Sequence, residues 1–122
     1  MSEEMRRATG RQTFEEILGL PAGDPATPLM VAAQDFVFAE VWNRPGLDRR
    51  SRRWITLASV AAAGSPTAIH AYALAGLASG DLTMPELREF TLQFAIFQGF
   101  PKAVEVERIL DEIARAQEDQ LL

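Results

Sequence analysis

Prolines and glycines cut this chain at regular points: Gly19 to Pro25, Pro45-Gly46, Gly64 with Pro66, Gly80, and Gly99 with Pro101. Between the cuts, apolar side chains recur at the three- and four-residue spacing of a helix face. No long segment alternates apolar and polar residues, and no Asn-Gly or Asp-Gly hairpin turn occurs. The chain is therefore confined to an all-α fold, a compact bundle of five to six helices joined by short loops.

The helices can be placed by their end signals. The first is predicted over 3–18, with Phe14, Ile17 and Leu18 on one side. Thr27-Pro28 reads as an N-cap followed by proline at the first helical position. That helix is predicted to run to Trp42 or Asn43, with Phe36, Val37, Glu40, Val41 and Arg44 at helical spacing. Asp48 caps the next, which ends near Ala63. Ser65-Pro66 starts another by the same logic, ending near Ser79. Thr83 to Glu86 fits a capping box and opens a helix to Gln98. The last helix is predicted over 102–117, with Val104, Ile109, Leu110 and Ile113 as its apolar stripe and Glu105, Glu107, Asp111, Glu112, Glu118 and Asp119 as a solvated face.

Composition narrows the chemistry. The 122 residues suit a single domain spanning 1–122, and 48% are hydrophobic, enough for a core. A net charge of −5 repels a phosphate backbone, so nucleic acid is not an expected partner. An anionic membrane surface is disfavoured for the same reason, and the longest apolar run, 54–64, is too short to span a bilayer. The N-terminus reads as lacking a signal peptide, which points to a cytoplasmic protein. There is no cysteine, so disulfides, thiolate nucleophiles and cysteine metal sites are excluded. With one histidine, His70, no histidine-cluster metal site can form within a chain. Four arginines, Arg49, Arg50, Arg52 and Arg53, crowd one helix N-terminus against the macrodipole. They call for acidic or anionic partners, either as a solvated face or in a subunit contact with residues such as Glu86 or Glu89; phosphate is the other candidate.

Three segments, in order, resemble the carboxymuconolactone decarboxylase family. The first is Trp42-Asn43-Arg44-Pro45-Gly46-Leu47 with the basic stretch behind it. The second is the apolar helix from Leu57 followed by a helix bearing His70. The third runs from Gly80-Asp81-Leu82-Thr83 to Phe94-Ala95-Ile96-Phe97-Gln98-Gly99-Phe100-Pro101-Lys102-Ala103. The resemblance covers roughly residues 10 to 115 and implies the alkylhydroperoxidase-D-like helical fold. It also implies a carboxy-lyase without a cofactor, a small carboxylated lactone or cyclic acid as substrate, and homo-oligomers, trimers or hexamers. The peroxidase branch of that superfamily carries a Cys-x-x-Cys-x-x-x-His motif. Aligned on His70, Ala63 and Pro66 stand at the cysteine positions and Ser51 at an upstream acidic one. Thiol-based peroxide reduction is chemically impossible here. Phe97 replaces the usual tyrosine of the closing motif, Gln93 stands where relatives carry histidine, and the interval from His70 to Gly80 is longer than in the decarboxylases proper.

Decarboxylation of an unsaturated lactone needs an apolar pocket, a cation to orient a carboxylate, and an acid. The residues that fit are Arg44, whose planar guanidinium binds a carboxylate through two parallel hydrogen bonds, and His70, since an ordinary imidazole titrates near ~6.5. Glu40, one turn before Arg44, suits orienting Arg44 or His70, and is equally readable as an ordinary i,i+4 ion pair with Arg44. Trp42, Gln93 and Phe97 are candidate substrate-binding walls or, alternatively, core and helix-contact residues. The segments 54–63 and 90–100 are apolar over more than one face, which a small monomer covers poorly. The alternative to a lyase is a non-catalytic small-molecule binder or a structural oligomer.

Overall fold

A computed structural model describes residues 1–121. Among them every regular element is helical. In order, these are α1 (Glu3–Leu18), α2 (Pro28–Ala32) continuing into a π-helical segment (Ala33–Phe38), a 3₁₀ turn (Val41–Asn43), α3 (Arg49–Ala63), α4 (Pro66–Ser79), α5 (Met84–Gln98) and α6 (Phe100–Leu121). The all-α fold expected from the sequence is thus observed. The chain forms two compact units, one of residues 1–52 and one beginning at Arg53.

In the first unit, Ser2 caps α1 by accepting a hydrogen bond from the Met5 N–H at 3.1 Å, and Glu3 and Glu4 complement the dipole. Gly19 ends the helix at φ 65°, a left-handed geometry that glycine adopts without a Cβ clash. Thr27 caps α2 through the Met30 N–H at 3.2 Å. The continuous helix predicted from here to Trp42 or Asn43 does not form. The backbone widens to π geometry, with the Ala39 N–H donating to Gln34 O at 3.1 Å, five residues back. It then closes in the 3₁₀ turn, and Arg44 is extended at φ −69°, ψ 138°.

The cause lies across the unit, on α1. The wider turn buries Gln34, Asp35 and Phe38. Asp35 there meets Arg7, and the Phe38 ring meets Phe14 edge-on at 5.1 Å. Gly10 permits the approach: a Cβ at that position would lie 2.0 Å from Gln34 O.

The second unit is built on one apolar cluster drawn from all four of its helices. Leu57 and Ala61 come from α3, Ile69 and Ala73 from α4, Leu87 and Phe94 from α5, and Val106, Ile109, Leu110 and Ile113 from α6. Burial of the Val, Leu, Ile and Phe side chains contributes about 1.5–3 kcal/mol each before the entropy cost of ordering the chain. The helix ends follow the sequence closely. Asp48 Oδ1 accepts from the Ser51 N–H at 2.6 Å, at the start of α3. The capping box at Thr83 is complete, with Glu86 returning to the Thr83 N–H at 3.1 Å. Two expectations are corrected. Ser65 occupies the cap position of α4 without a side-chain hydrogen bond. Helix α6 starts at Phe100 and continues to Leu121, and Val104, assigned to its apolar stripe, is exposed.

Candidate functional site

The first unit presents three of the six candidate residues on one short stretch. Trp42 is buried, its ring stacked on Phe38 at 6.3 Å with an interplanar angle of 6°. Glu40 does not pair with Arg44. Its carboxylate accepts from Arg6 of α1. The i,i+4 geometry that would join Glu40 to Arg44 is absent because the chain leaves helical geometry before Arg44. Glu40 is thereby fixed as a brace between α1 and the end of the π segment.

Arg44 is the outlier among the arginines. Its backbone is held at both ends, the N–H by Val41 O at 3.2 Å and the carbonyl by Arg52 Nη2 at 3.1 Å. Its guanidinium is exposed and, among the described residues, has no partner. The other arginines differ. Arg7 holds Asp35 with two hydrogen bonds of 3.0 and 2.8 Å, which keeps the Asp35 carboxyl below the usual range. Arg49 holds Glu16 at 2.6 Å, and with Gln12 lowers that carboxyl also. Arg52 donates to Leu47 O and Arg44 O. Arg11 pairs with Asp24, Arg88 with Glu107 and Asp111, and Arg108 with Glu105 and Glu112.

Asn43 organises this stretch. Its side-chain amide donates to Thr13 Oγ1 at 2.9 Å and to the Phe38 and Ala39 carbonyls at 3.2 and 3.1 Å. Its oxygen accepts from Arg49 Nη2 at 3.0 Å. Asn43 stands in the sequence segment that carries Arg44, but nothing there marks Arg7 or Asp35. The Arg7–Asp35 partners lie 28 residues apart, and no local pattern announces such a pair.

The second unit carries the other three candidates. His70 lies on the exposed face of α4, beside buried Ile69, and among the described residues no polar group pairs with its ring. Gln93 and Phe97, one turn apart on α5, are both exposed, Phe97 to 76%. Phe97 is therefore not a core residue of this unit. The core-side aromatics are Trp54, Phe90 and Phe94, stacked in series at 5.5 and 5.7 Å.

The arginine cluster at the start of α3 also departs from a uniformly solvated face. Arg53 is 2% exposed, and its Nε donates to Asp81 Oδ2 at 2.8 Å. A cation so placed requires its partner, because an unpaired buried charge is strongly disfavoured. Tyr72 is partly buried, which raises its hydroxyl pKa, with Arg53 opposing the shift. No group of three or more potential metal-binding side chains occurs among the described residues, and no helix among them is long and apolar enough to cross a membrane.

The pattern of free and engaged groups can be set beside known proteins. Residues 28–112 match the carboxymuconolactone decarboxylase family. The chain is also 31% identical over 121 residues to the 4-carboxymuconolactone decarboxylase of Acinetobacter baylyi, an alignment covering 93% of this chain and 90% of that protein.

Proposed function

Since the chain belongs to the carboxymuconolactone decarboxylase family, we propose that it is a carboxy-lyase acting without a cofactor on a small carboxylated lactone or cyclic acid. The observation that carries this reading is the free guanidinium of Arg44. Among the described residues it is the one arginine side chain left unpaired, on a backbone fixed from both sides. An unpaired cation carried on an anchored backbone is suited to an incoming carboxylate.

Loss of carbon dioxide from such a lactone breaks one carbon–carbon bond. The electron pair flows through the ring's double bond into the lactone carbonyl, and a proton must then be added to carbon. The substrate supplies its own electron sink. Arg44 holds the carboxylate that stays; gripping the one that leaves would stabilise the ground state and slow the reaction. His70 delivers the proton. Glu40 acts through Arg6 and α1 to position the Arg44 loop, and Trp42 backs that loop from its buried side. Gln93 and Phe97 wall the substrate.

The same reading includes assembly of copies into a trimer or hexamer. Leu92, Ile96, Phe97, Phe100 and Val104 are all more than half exposed along α5 and the start of α6. A ring of copies would cover that surface and give Gln93 and Phe97 an opposite wall.

The test is carbon dioxide release from 4-carboxymuconolactone, with folding followed by circular dichroism and assembly by light scattering. Wild type is expected to turn over. His70→Ala is expected to lower kcat by roughly 10²–10⁴-fold. Arg44→Gln is expected to raise KM by about tenfold to a hundredfold, the worth of charged hydrogen bonds. No turnover by folded wild type would overturn the lyase reading for this substrate.

A further inference from the structure

The first unit contains a cavity of about 300 Å³, at the lower end of the range for small-molecule sites. Phe14 of α1 and Met30 and Phe38 of the α2–π element give it apolar walls, and the loop of residues 21–26 supplies the rest. That loop is tied to α1 by the Asp24–Arg11 ion pair. Gln34 also lines the cavity and is 6% exposed. Its Nε2 donates to Arg7 O at 3.4 Å, and among the described residues no group donates to its Oε1. An accessible acceptor is thus left beside an apolar space, on a π-helical turn, a feature frequent at functional sites.

We propose that this cavity binds a small neutral ring compound bearing one hydroxyl group. The ring lies against Phe14 and Phe38, and the hydroxyl donates to Gln34 Oε1. The charge balance selects a neutral ligand. The charged residue among the lining is Asp24, already neutralised by Arg11, and the lining holds no cation to receive a carboxylate. Neither Arg44 nor His70 lines the cavity, so this is a second site, separate in chemistry from the one that takes the carboxylated substrate. Phe38 stacks on Trp42, two residues before Arg44. Occupancy therefore bears, through those two rings, on the segment that carries the proposed anion anchor.

Phenol is a suitable probe, followed by nuclear magnetic resonance on the full chain, with benzoate as its carboxylated counterpart. Phenol is expected to cause saturable shifts at Ala22, Met30 and Ala33, and benzoate none. Gln34→Leu, which keeps the bulk and removes the acceptor, is expected to weaken phenol about tenfold. Ala22→Phe, which fills the cavity from the loop, is expected to abolish binding. If Ala22→Phe does not fold, Gln34→Leu and the comparison with benzoate decide. An absence of saturable shifts at these residues, meaning a cavity that holds water alone, overturns the proposal. So does equal affinity of wild type and Gln34→Leu, or of phenol and benzoate.

Discussion

The two units of this chain differ in the balance between apolar burial and directional contacts. The second draws apolar side chains from four helices into one cluster, with Leu57, Leu87 and Leu110 essentially inaccessible. The first has a thinner apolar centre of Ile17, Phe38, Ala39 and Trp42. Both units carry ion pairs, so directional contacts weigh more in the first: Arg7 with Asp35, Arg6 with Glu40, Arg49 with Glu16, and the four partners of Asn43. Apolar burial is non-directional and tolerates small shifts. Charge-assisted hydrogen bonds fix position and orientation. The unit with the thinner apolar centre is also the one that presents the unpaired Arg44 guanidinium, on a backbone held from both sides.

The sharpest way to break this contrast is to remove apolar volume from the second unit. Leu110→Ala is expected to cost about 2–5 kcal/mol, from lost transfer free energy plus the cavity left behind. Urea unfolding followed by circular dichroism measures it, and a cost below 1 kcal/mol would show that the cluster is not the unit's main support.

Next in size is a paired glycine experiment. Alanine at Gly10 meets the Gln34 backbone at 2.0 Å, whereas alanine at Gly76 meets the Leu82 side chain at 2.5 Å. Either change gains about 1 kcal/mol of helix propensity. At Gly10 the backbone must yield, and a net loss of roughly 1–3 kcal/mol is expected. At Gly76 the buried Leu82 side chain, not backbone, must shift, and a smaller net loss of about 0–2 kcal/mol is expected. Equal melting temperatures for the two variants would remove the idea that the first unit depends on one close backbone approach.

A smaller effect is expected at Thr83. Thr83→Ala removes one side of the capping box and should cost about 1 kcal/mol in thermal unfolding, with the fold retained.

The finest distinction is in acid. In the first unit, Asp35 and Glu16 have carboxyl pKa values lowered by hydrogen bonds from Arg7 and from Arg49 with Gln12, pairs that join separate elements; in the second, Glu105 is lowered by Arg108 within a single helix. A lowered folded-state pKa contributes stability that is complete above the unfolded value, about 4, and is lost as pH falls through the folded value. Trp42 lies in the first unit and Trp54 in the second. In single-tryptophan variants, Trp42 fluorescence is expected to change on acidification before that of Trp54. The reverse order would show that ion pairs do not set the stability of the first unit.

Much of this architecture is legible along the chain because helix signals are local. Thr27-Pro28, Asp48, and Thr83 with Glu86 act over three residues, so caps and starts can be read directly. The missing cysteines exclude thiol chemistry whatever the packing. Arg44 and His70 are legible as residue types suited to the reaction, but their availability is not. Whether an arginine is free depends on what the fold brings to it: Arg53 finds Asp81 28 residues away, and Arg6 takes Glu40 from 34 residues away. The π-helical turn at Gln34 likewise answers to Gly10 and Arg7 on another helix, not to its own sequence. The sequence by itself determined the all-helical fold, the caps at Thr27, Asp48 and Thr83 and the exclusion of thiol chemistry, since these depend on residue type and on neighbours within a turn. Tertiary structure alone decided which charges are spent on each other and which side chains stay exposed, because pairing and burial depend on approaches between distant segments.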